Sequence, residues 1–285
     1  MSHYYYNAFI HNNVFYVCFM NNYKTFCLNE LTTIKDHHNN IQEKNSYLMA
    51  IHPLTNYKVY ESYGESYITN ESNCIITKLS YKHVATKTMY DKNGYLFSMD
   101  NFLGLFVFDD LGQLCQTFYN SRQENAITCY VDKQQNVLAV ILKNYDDQKQ
   151  FRTYKLIVHS YKLVKKKNEF EEKKHNNKEL ALETIYQVDT IYNNTEYAYY
   201  DYIHDIAMDC NYQLVFISTI HGLLIYNMYG TNFTYMNIKN NETKKLTIDT
   251  KNQQLYIVLI SCILVYSYKH YKTNQMLELV HTITL

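Results

Sequence analysis

The chain holds four aspartates that could do acid–base or metal chemistry if the fold gathered them at one site. They are Asp100, Asp109, Asp146 and Asp201. No spacing between them requires that they meet. Aspartates at strand ends usually serve tight turns instead, because the side chain accepts backbone N–H bonds two residues further on. We therefore expect turn residues here, with a gathered carboxylate site as the alternative.

Other catalytic and ligand-binding motifs are missing from the sequence. The six glycines, at positions 64, 94, 104, 112, 222 and 230, lie too far apart to form a loop that cradles a phosphate. There is no His-Glu-x-x-His pattern, no Cys-x-x-Cys pair and no Gly-x-Ser-x-Gly elbow. His37 and His38 are adjacent in a polar segment, and we expect a solvated loop there rather than a chelate. The sequence thus predicts no catalytic residue, no cofactor and no metal.

The most basic stretch of the chain is residues 162–178, with seven lysines against three glutamates. We interpret residues 162–180 as a charged, solvated insertion loop. The alternative is a contact arm for an acidic partner, for RNA or for an anionic lipid. The lysines that would make such contacts are Lys165, Lys166, Lys167, Lys173 and Lys174.

The overall charge argues against nucleic acid as a direct ligand. Lysine plus arginine and aspartate plus glutamate each total 27, so the chain as a whole is not attracted to phosphate.

The seven cysteines show no paired spacing, which is typical of reduced thiols in an intracellular compartment. We expect the cytoplasm, with the nucleus or an organelle left open. The uncharged run at residues 255–268 is too short for a membrane span, which needs roughly 17–25 residues.

A repeated pattern organises the chain from residue 87 onwards. An apolar strand ends in an aspartate, four or five turn residues follow, and a second apolar strand opens with leucine. The pattern recurs four times, with spacings of 41, 77 and 40 residues between its aspartates, Asp91, Asp132, Asp209 and Asp249. Each aspartate is predicted to hold a hairpin turn by accepting backbone N–H bonds. A period near 40 is typical of four-stranded propeller blades, and the long interval indicates one blade with an insertion.

Further strands complete these units. A third apolar strand is predicted at residues 104–109, 155–160, 222–227 and 262–267. Short, nearly continuous apolar runs suit strands that are packed on both faces. Nearer the start, two more hairpins are predicted, formed by Val14–Met20 with Lys24–Leu28 and by Tyr47–Ile51 with Tyr57–Tyr60. Residues Leu277–Ile283 are predicted to form an outer closing strand, which would protect a sheet edge.

The pattern resembles the WD-repeat and NHL-repeat propeller superfamilies. Phe108 and Asp109 stand where a WD-repeat has its Trp-Asp pair, and residues 91–118 are the most NHL-like part. The resemblance covers residue 87 to the end of the chain. It implies an all-β chain that forms a single β-propeller over residues 1–285. Six blades are expected, with seven as the alternative, and the charged insertion of residues 162–180 lies inside one of them.

The resemblance implies a docking platform rather than an enzyme. We expect a non-catalytic interaction scaffold, or a structural subunit of a larger assembly, whose partners are other proteins. Nucleic acid would be contacted only indirectly. Three alternatives stay open: a lactonase-like or hydrolase-like propeller enzyme with a central-channel site, a phosphoinositide-binding propeller and an RNA-associated propeller. The last two would depend on the lysine-rich segment.

Overall fold

The chain folds into six antiparallel sheets of four strands each, which we call blades 1 to 6. A computed structural model describes residues 5–28, 33–38, 45–119, 124–132, 134–146, 151–165, 178–189, 191, 203–228, 233–238, 244–274 and 276–285. Each blade uses four strands that are consecutive in the sequence, and each strand pairs with its neighbours in chain order. Among the described residues, helix is confined to the single turn α1, Tyr271–Asn274.

The strands of the first three blades cover the first 118 residues. Blade 1 contains β1 (Tyr5–His11), β2 (Val14–Phe19), β3 (Asn22–Cys27) and β4 (Thr33–His38). Blade 2 contains β5 (Tyr47–Ile51), β6 (Lys58–Ser62), β7 (Glu65–Thr69) and β8 (Ile75–Lys78). Blade 3 contains β9 (Lys87–Tyr90), β10 (Leu96–Asp100), β11 (Gly104–Phe108) and β12 (Leu114–Phe118).

The other three blades include the longest strands of the structure. Blade 4 contains β13 (Glu124–Asp132), β14 (Val137–Asp146), β15 (Phe151–Lys165) and β16 (Lys178–Val188). Blade 5 contains β17 (Ile203–Asp209), β18 (Leu214–Thr219), β19 (Gly222–Asn227) and β20 (Phe233–Asn237). Blade 6 contains β21 (Lys245–Asp249), β22 (Gln254–Val258), β23 (Cys262–Ser267) and β24 (Glu278–Thr284).

The six blades form a closed ring around a central channel. The first strand of each blade contacts the first strand of the next, from β1 to β5 and on to β21, and β21 contacts β1. The first strands therefore surround the channel, and the fourth strands lie at the outer edge of the ring. This arrangement confirms the predicted six-bladed β-propeller.

Apolar side chains from neighbouring blades pack together and hold the ring. Every residue of the middle strands β10, β11 and β18 is buried, which agrees with their nearly continuous apolar sequences. Between blades 5 and 6, for example, Phe216, Leu223, Leu246 and Leu255 belong to one cluster. Burying one such side chain contributes about 1.5–3 kcal/mol.

The ring closes by side-chain packing, without exchange of a strand. The predicted closing strand is β24, and it is the outermost strand of its own blade, where it pairs with β23. Across the junction between blades 6 and 1, Phe15 and Tyr256 are both fully buried, with ring centroids 4.9 Å apart. The junction is therefore a hydrophobic core of the same kind as those between the other blades.

The predicted aspartates lie in the turns between the first and second strands of blades 3 to 6. Asp91 Oδ1 accepts the N–H groups of Asn93 at 2.8 Å and Tyr95 at 2.9 Å. Asp132, Asp209 and Asp249 accept equivalent pairs of N–H bonds. Two of the four also form a hydrogen bond with the next blade. Asp91 accepts a hydrogen bond from the hydroxyl of Tyr161, and Asp209 accepts one from the hydroxyl of Tyr268.

Blades 1 and 2 use other residues in the corresponding turn, which explains why no aspartate marks them. In blade 2 the ring nitrogen Nδ1 of His52 accepts the N–H groups of Leu54 and Thr55 at 3.1 and 3.2 Å. In blade 1 the turn contains only Asn12 and Asn13, with φ of 48° and 60°. Positive φ at both positions is the geometry of a tight hairpin turn, and asparagine tolerates it.

Two sequence expectations differ from the structure. Residues 162–165 and 178–180, predicted to be loop, belong to the long strands β15 and β16, and Lys165 pairs with Lys178. The side chains at alternate positions of these ends, Tyr161, Leu163, Leu180 and Leu182, pack on one core cluster, as the residues on one face of a strand do. Residues 166–177 lie outside the described residues.

The second difference concerns His37 and His38, which lie in strand β4 and not in a loop. The His37 ring stacks on Tyr23 with centroids 4.6 Å apart, and its Nε2 lies 3.2 Å from Thr25 Oγ1. His38 is exposed. The two rings therefore point to different sides of the strand, as the alternation of an extended chain requires.

Candidate functional site

The two ends of the channel are different faces of the ring. Because consecutive strands are antiparallel, the turns between second and third strands share one face with the connections between blades. A cavity opens on this side, which we call the cavity face. The turns that contain Asp91, Asp132, Asp209 and Asp249 lie on the opposite face.

The cavity has a volume of about 710 Å³ and lies where the first strands begin. Its lining includes Tyr47, Lys87, Thr128, Ile203 and Lys245, from the first strands of blades 2 to 6. A volume of this size falls in the range of pockets that bind small molecules or a few side chains of a partner.

A buried ion pair crosses the channel beneath the cavity. The Lys87 ammonium group lies 2.5 Å from Asp205 Oδ1 and 2.7 Å from the carbonyl oxygen of Ile206. Asp205 also accepts the hydroxyl of Thr128 at 3.1 Å and the N–H of Leu246 at 2.9 Å. One carboxylate thus connects blades 3, 4, 5 and 6.

The charges around this pair shift several pKa values. Burial opposes ionisation of Asp205, but Lys87, Lys245 and the Leu246 N–H outweigh it and hold the carboxyl pKa below its ordinary value. Burial lowers the pKa of Lys245. Burial and the neighbouring lysines lower the pKa of His204 to about 4, so its ring is neutral at physiological pH. Its Nδ1 accepts the N–H of Lys244 at 3.3 Å.

Three exposed apolar side chains border the cavity, and we call them the rim: Tyr63, Val84 and Phe102. Their exposed fractions are 74%, 59% and 87%, high values for side chains of this kind. Tyr63 and Phe102 lie in the turns between the second and third strands of blades 2 and 3, and Val84 lies in the connection between these blades. The rim therefore presents a compact apolar surface beside a polar cavity.

The rim is held in place from below. Asp100 accepts the N–H groups of Val84 at 2.9 Å and of Phe102 at 2.8 Å, so one carboxylate fixes two rim positions. Asn45 donates a hydrogen bond from Nδ2 to the hydroxyl of Tyr63. Tyr63 has a φ of 51°, a conformation that side chains larger than glycine adopt at a cost of order 1–3 kcal/mol.

The four aspartates considered for catalysis do not form one group. Asp100 belongs to the cavity face, whereas Asp109 lies on the opposite face and accepts the N–H groups of Leu111 and Gln113. Asp146 ends β14, where its side chain is not described, and Asp201 lies outside the described residues. Across the described part of the chain, no group of three His, Cys, Asp or Glu side chains could hold a metal ion.

The predicted contact lysines are largely beyond the described residues. Lys165 is the last residue of β15, at the face opposite the cavity, and its side chain is not described. Lys166, Lys167, Lys173 and Lys174 lie outside the described residues. The contact-arm interpretation stays a prediction.

Sequence reasoning missed the residues that meet in the channel, although the repeat contained a signal for them. Lys87, Thr128, Asp205 and Lys245 each stand four positions before a turn aspartate. All four are polar or charged at the start of an otherwise apolar strand. In blades 3 to 6 this repeat position lies at the channel, so polar residues there predict contacts across it.

The comparisons with known proteins establish the fold alone. No protein-family model matches the chain, and no curated protein matches it. Among solved structures, the β-propeller domain of Myceliophteria thermophila Cps50 (Swd1) is similar over 91% of this chain and 94% of its own, with a TM-score of 0.52 and 8% identity. A chain from the complex of KlAtg21 with the coiled-coil of AgAtg16 is similar over 100% of both chains, with a TM-score of 0.60 and 11% identity. Within the described residues, no helix is long and apolar enough to cross a membrane.

Proposed function

We propose that this protein is a non-catalytic interaction scaffold, a subunit of a larger assembly, and that partner proteins dock on its cavity face. The observation that carries the proposal is the exposed rim of Tyr63, Val84 and Phe102 beside a preformed cavity. Aromatic side chains next to a pocket are the usual anchors of protein interfaces.

The rigidity of the rim supports a binding role. Asp100 and Asn45 hold the rim in the absence of a partner, so little conformational freedom would be lost on binding. Tyr63 occupies a turn position that asparagine or glycine would fill without strain. The backbone strain at this exposed tyrosine costs the fold free energy, which favours a role for its side chain in contacts.

Two further observations agree with this function. One similar structure comes from a complex of KlAtg21 with a coiled-coil, an analogy at the level of fold. All seven cysteines are free thiols, which fits the reducing intracellular compartment that we propose for the assembly. The lysine-rich segment, which leaves blade 4 on the opposite face, would offer a second and independent contact.

The test compares purified complexes of rim variants. The double variant Tyr63→Asn, Phe102→Ala should keep the fold, because asparagine suits the positive φ of position 63. We expect a tagged wild-type chain to co-purify with a stoichiometric partner from its native source, and the double variant to lose it. Leu54→Ala is the matched control, since Leu54 is 75% exposed on the opposite face. Retention of the partner by the double variant, or absence of any stoichiometric partner, would contradict the proposal.

A further inference from the structure

The apolar surface of the cavity face extends beyond the rim and crosses blades 1 to 3. Met20 lies in the turn between the second and third strands of blade 1, and Leu103 follows Phe102 in the same turn of blade 3. Their side chains are 42% and 41% exposed. We call the rim together with Met20 and Leu103 the apolar arc. Each of these three blades therefore places an apolar side chain at the same kind of turn.

Hydrogen bonds connect the turns of the arc to one another. Beside Met20, Asn21 donates from Nδ2 to Asn45 Oδ1 at 3.4 Å, and Asn45 in turn donates to the hydroxyl of Tyr63. Asp100 joins the turn of blade 3 to the connection between blades 2 and 3. The arc is therefore one connected surface, and a partner that covers it would order few groups on binding.

The turns of the opposite face are polar by comparison. Among the described turns between first and second strands, Leu54 is the single apolar residue that is exposed. The other exposed positions of these turns hold asparagine, glutamine, lysine or threonine, as in Asn12–Asn13, Lys92–Asn93 and Lys251–Asn252. Isolated exposed apolar residues are ordinary, whereas a connected group on one face is typical of an interaction surface.

Three lysines near the arc have carboxylate partners within the protein. Glu65 Oε1 lies 2.7 Å from the Lys78 ammonium group and 3.5 Å from that of Lys82. The Lys87 ammonium group lies 2.5 Å from Asp205 Oδ1. A partner with a charged contact surface would compete with these pairs and gain little. The pairing therefore favours a partner whose contact surface is apolar and uncharged.

Backbone N–H groups of the arc also have acceptors within the protein. Besides the two N–H groups described above, Asp100 accepts that of Leu103 at 3.1 Å. In blade 2, Glu61 accepts the N–H of Gly64, the residue after Tyr63, at 2.7 Å. An extended peptide on the arc would bring carbonyl oxygens that these engaged donors do not satisfy. An α-helix pairs its backbone internally, so it can cover an apolar surface without backbone partners.

We propose that the apolar arc binds an amphipathic α-helix of a partner protein, whose apolar side covers Met20, Tyr63 and Phe102. This inference rests on the proposed function and names the kind of segment that docks. Apolar residues at every third or fourth position of the helix would face the arc, and its polar side would stay in water. A lipid surface fits less well, because binding to anionic lipid draws on cations, and the lysines near the arc already have carboxylate partners.

The experiment selects binders from a display library of random peptides against the full-length protein. The peptides are about twenty residues long, enough for a helix of about 30 Å. Affinities of the synthesised peptides are measured by fluorescence polarisation for wild type, Met20→Ala, Phe102→Ala and Leu103→Ala. The matched controls are Met276→Ala and Leu54→Ala, because these side chains are 74% and 75% exposed on the opposite face. Thermal unfolding of each variant checks that it is folded.

We expect peptides whose apolar residues recur at every third or fourth position and whose circular dichroism becomes helical on binding. Phe102→Ala should weaken binding roughly tenfold or more, and Met20→Ala and Leu103→Ala roughly threefold or more, whereas both controls should bind as wild type does. Glycine in place of alanine at an outward-facing position of the peptide should weaken binding roughly fivefold, because it destabilises the helix. Raising the salt concentration from about 0.05 to about 0.5 M should change the affinity by less than about twofold.

Three other results would overturn the inference. Peptides that depend on Phe102 but bind in an extended form, or whose affinity falls steeply with salt, would refute the helical partner and leave the scaffold proposal intact. If no selected peptide is sensitive to Phe102→Ala, the inference is wrong, and co-purification of the native partner decides the scaffold proposal separately. Sedimentation with phosphatidylcholine vesicles that depends on Phe102, with no such peptide selected, would assign the arc to a lipid surface.

Discussion

Replacing Asp205 with asparagine should weaken the ring more than any change at its surface. The substitution keeps the size of the side chain but removes the carboxylate that Lys87 contacts at 2.5 Å. It also turns an N–H donor of the new amide towards either the Leu246 N–H or the Lys87 ammonium group, because both oxygens of Asp205 accept hydrogen bonds. Lys87 and Lys245 would then lie in the channel as like charges.

The expected loss is large compared with the stability of an ordinary domain. Removing one partner of a buried ion pair costs about 3–5 kcal/mol, against a total unfolding free energy of about 5–15 kcal/mol. For a chain of this size that loss corresponds to a fall in Tm of about 5–10 °C. Urea unfolding followed by circular dichroism would measure the change in free energy.

A second substitution separates the ion pair from general damage. The double variant Lys87→Met, Asp205→Asn removes both charges of the pair, and we expect it to be more stable than Asp205→Asn alone. The four proteins form a double-mutant cycle that gives the coupling between the two side chains. The reasoning is refuted if Asp205→Asn lowers the unfolding free energy by less than about 1 kcal/mol. It is also refuted if the double variant shows no recovery.

Two further predictions concern pH and ring closure. His204 has a folded pKa of about 4, below the unfolded value of about 6.5, so its contribution to stability is present above pH 6.5 and is lost as pH falls towards 4. The unfolding free energy should therefore fall less steeply between these pH values in His204→Gln than in wild type, and parallel curves would contradict this assignment. Phe15→Ala should cost about 3–5 kcal/mol in urea unfolding, because it leaves a cavity at the junction of blades 6 and 1. Phe233→Ala, at a 41% exposed position on β20, is its control and should cost less than about 1 kcal/mol.

The fold was predictable from the sequence because its turns repeat a local hydrogen-bonding rule. Asp91, Asp132, Asp209 and Asp249 accept N–H bonds from residues two to four positions further on, so a short segment is enough to identify each hairpin. The aspartate pattern does not identify the turn of blade 2, because there a ring nitrogen of His52 accepts the backbone N–H bonds instead of a carboxylate. Histidine is rarely read as a turn residue, so this substitution hid the repeat.

The candidate site was harder to predict because it is made of distant residues. Lys87 and Asp205 are 118 positions apart, and no local pattern specifies that they meet. Their meeting depends on the number of blades and on ring closure. The rim could not be predicted either. Tyr63, Val84 and Phe102 are isolated apolar residues in turns and connections, and in the sequence they look like ordinary exposed side chains.

The position four residues before the turn aspartate explains how one repeat can join several blades across the channel. In blades 3 to 6 this position lies at the channel, where the first strands come closest together, so a charge there needs a partner across the channel. Asp205 and Lys87 satisfy each other, and with Thr128 they join blades 3, 4 and 5. Lys245 occupies the same position in blade 6 and shares the Asp205 carboxylate with Lys87, because both lysines help to hold its pKa below the ordinary value. One repeat position therefore places two lysines and one threonine around the carboxylate of one aspartate, and the contacts of that carboxylate join blades 3 to 6.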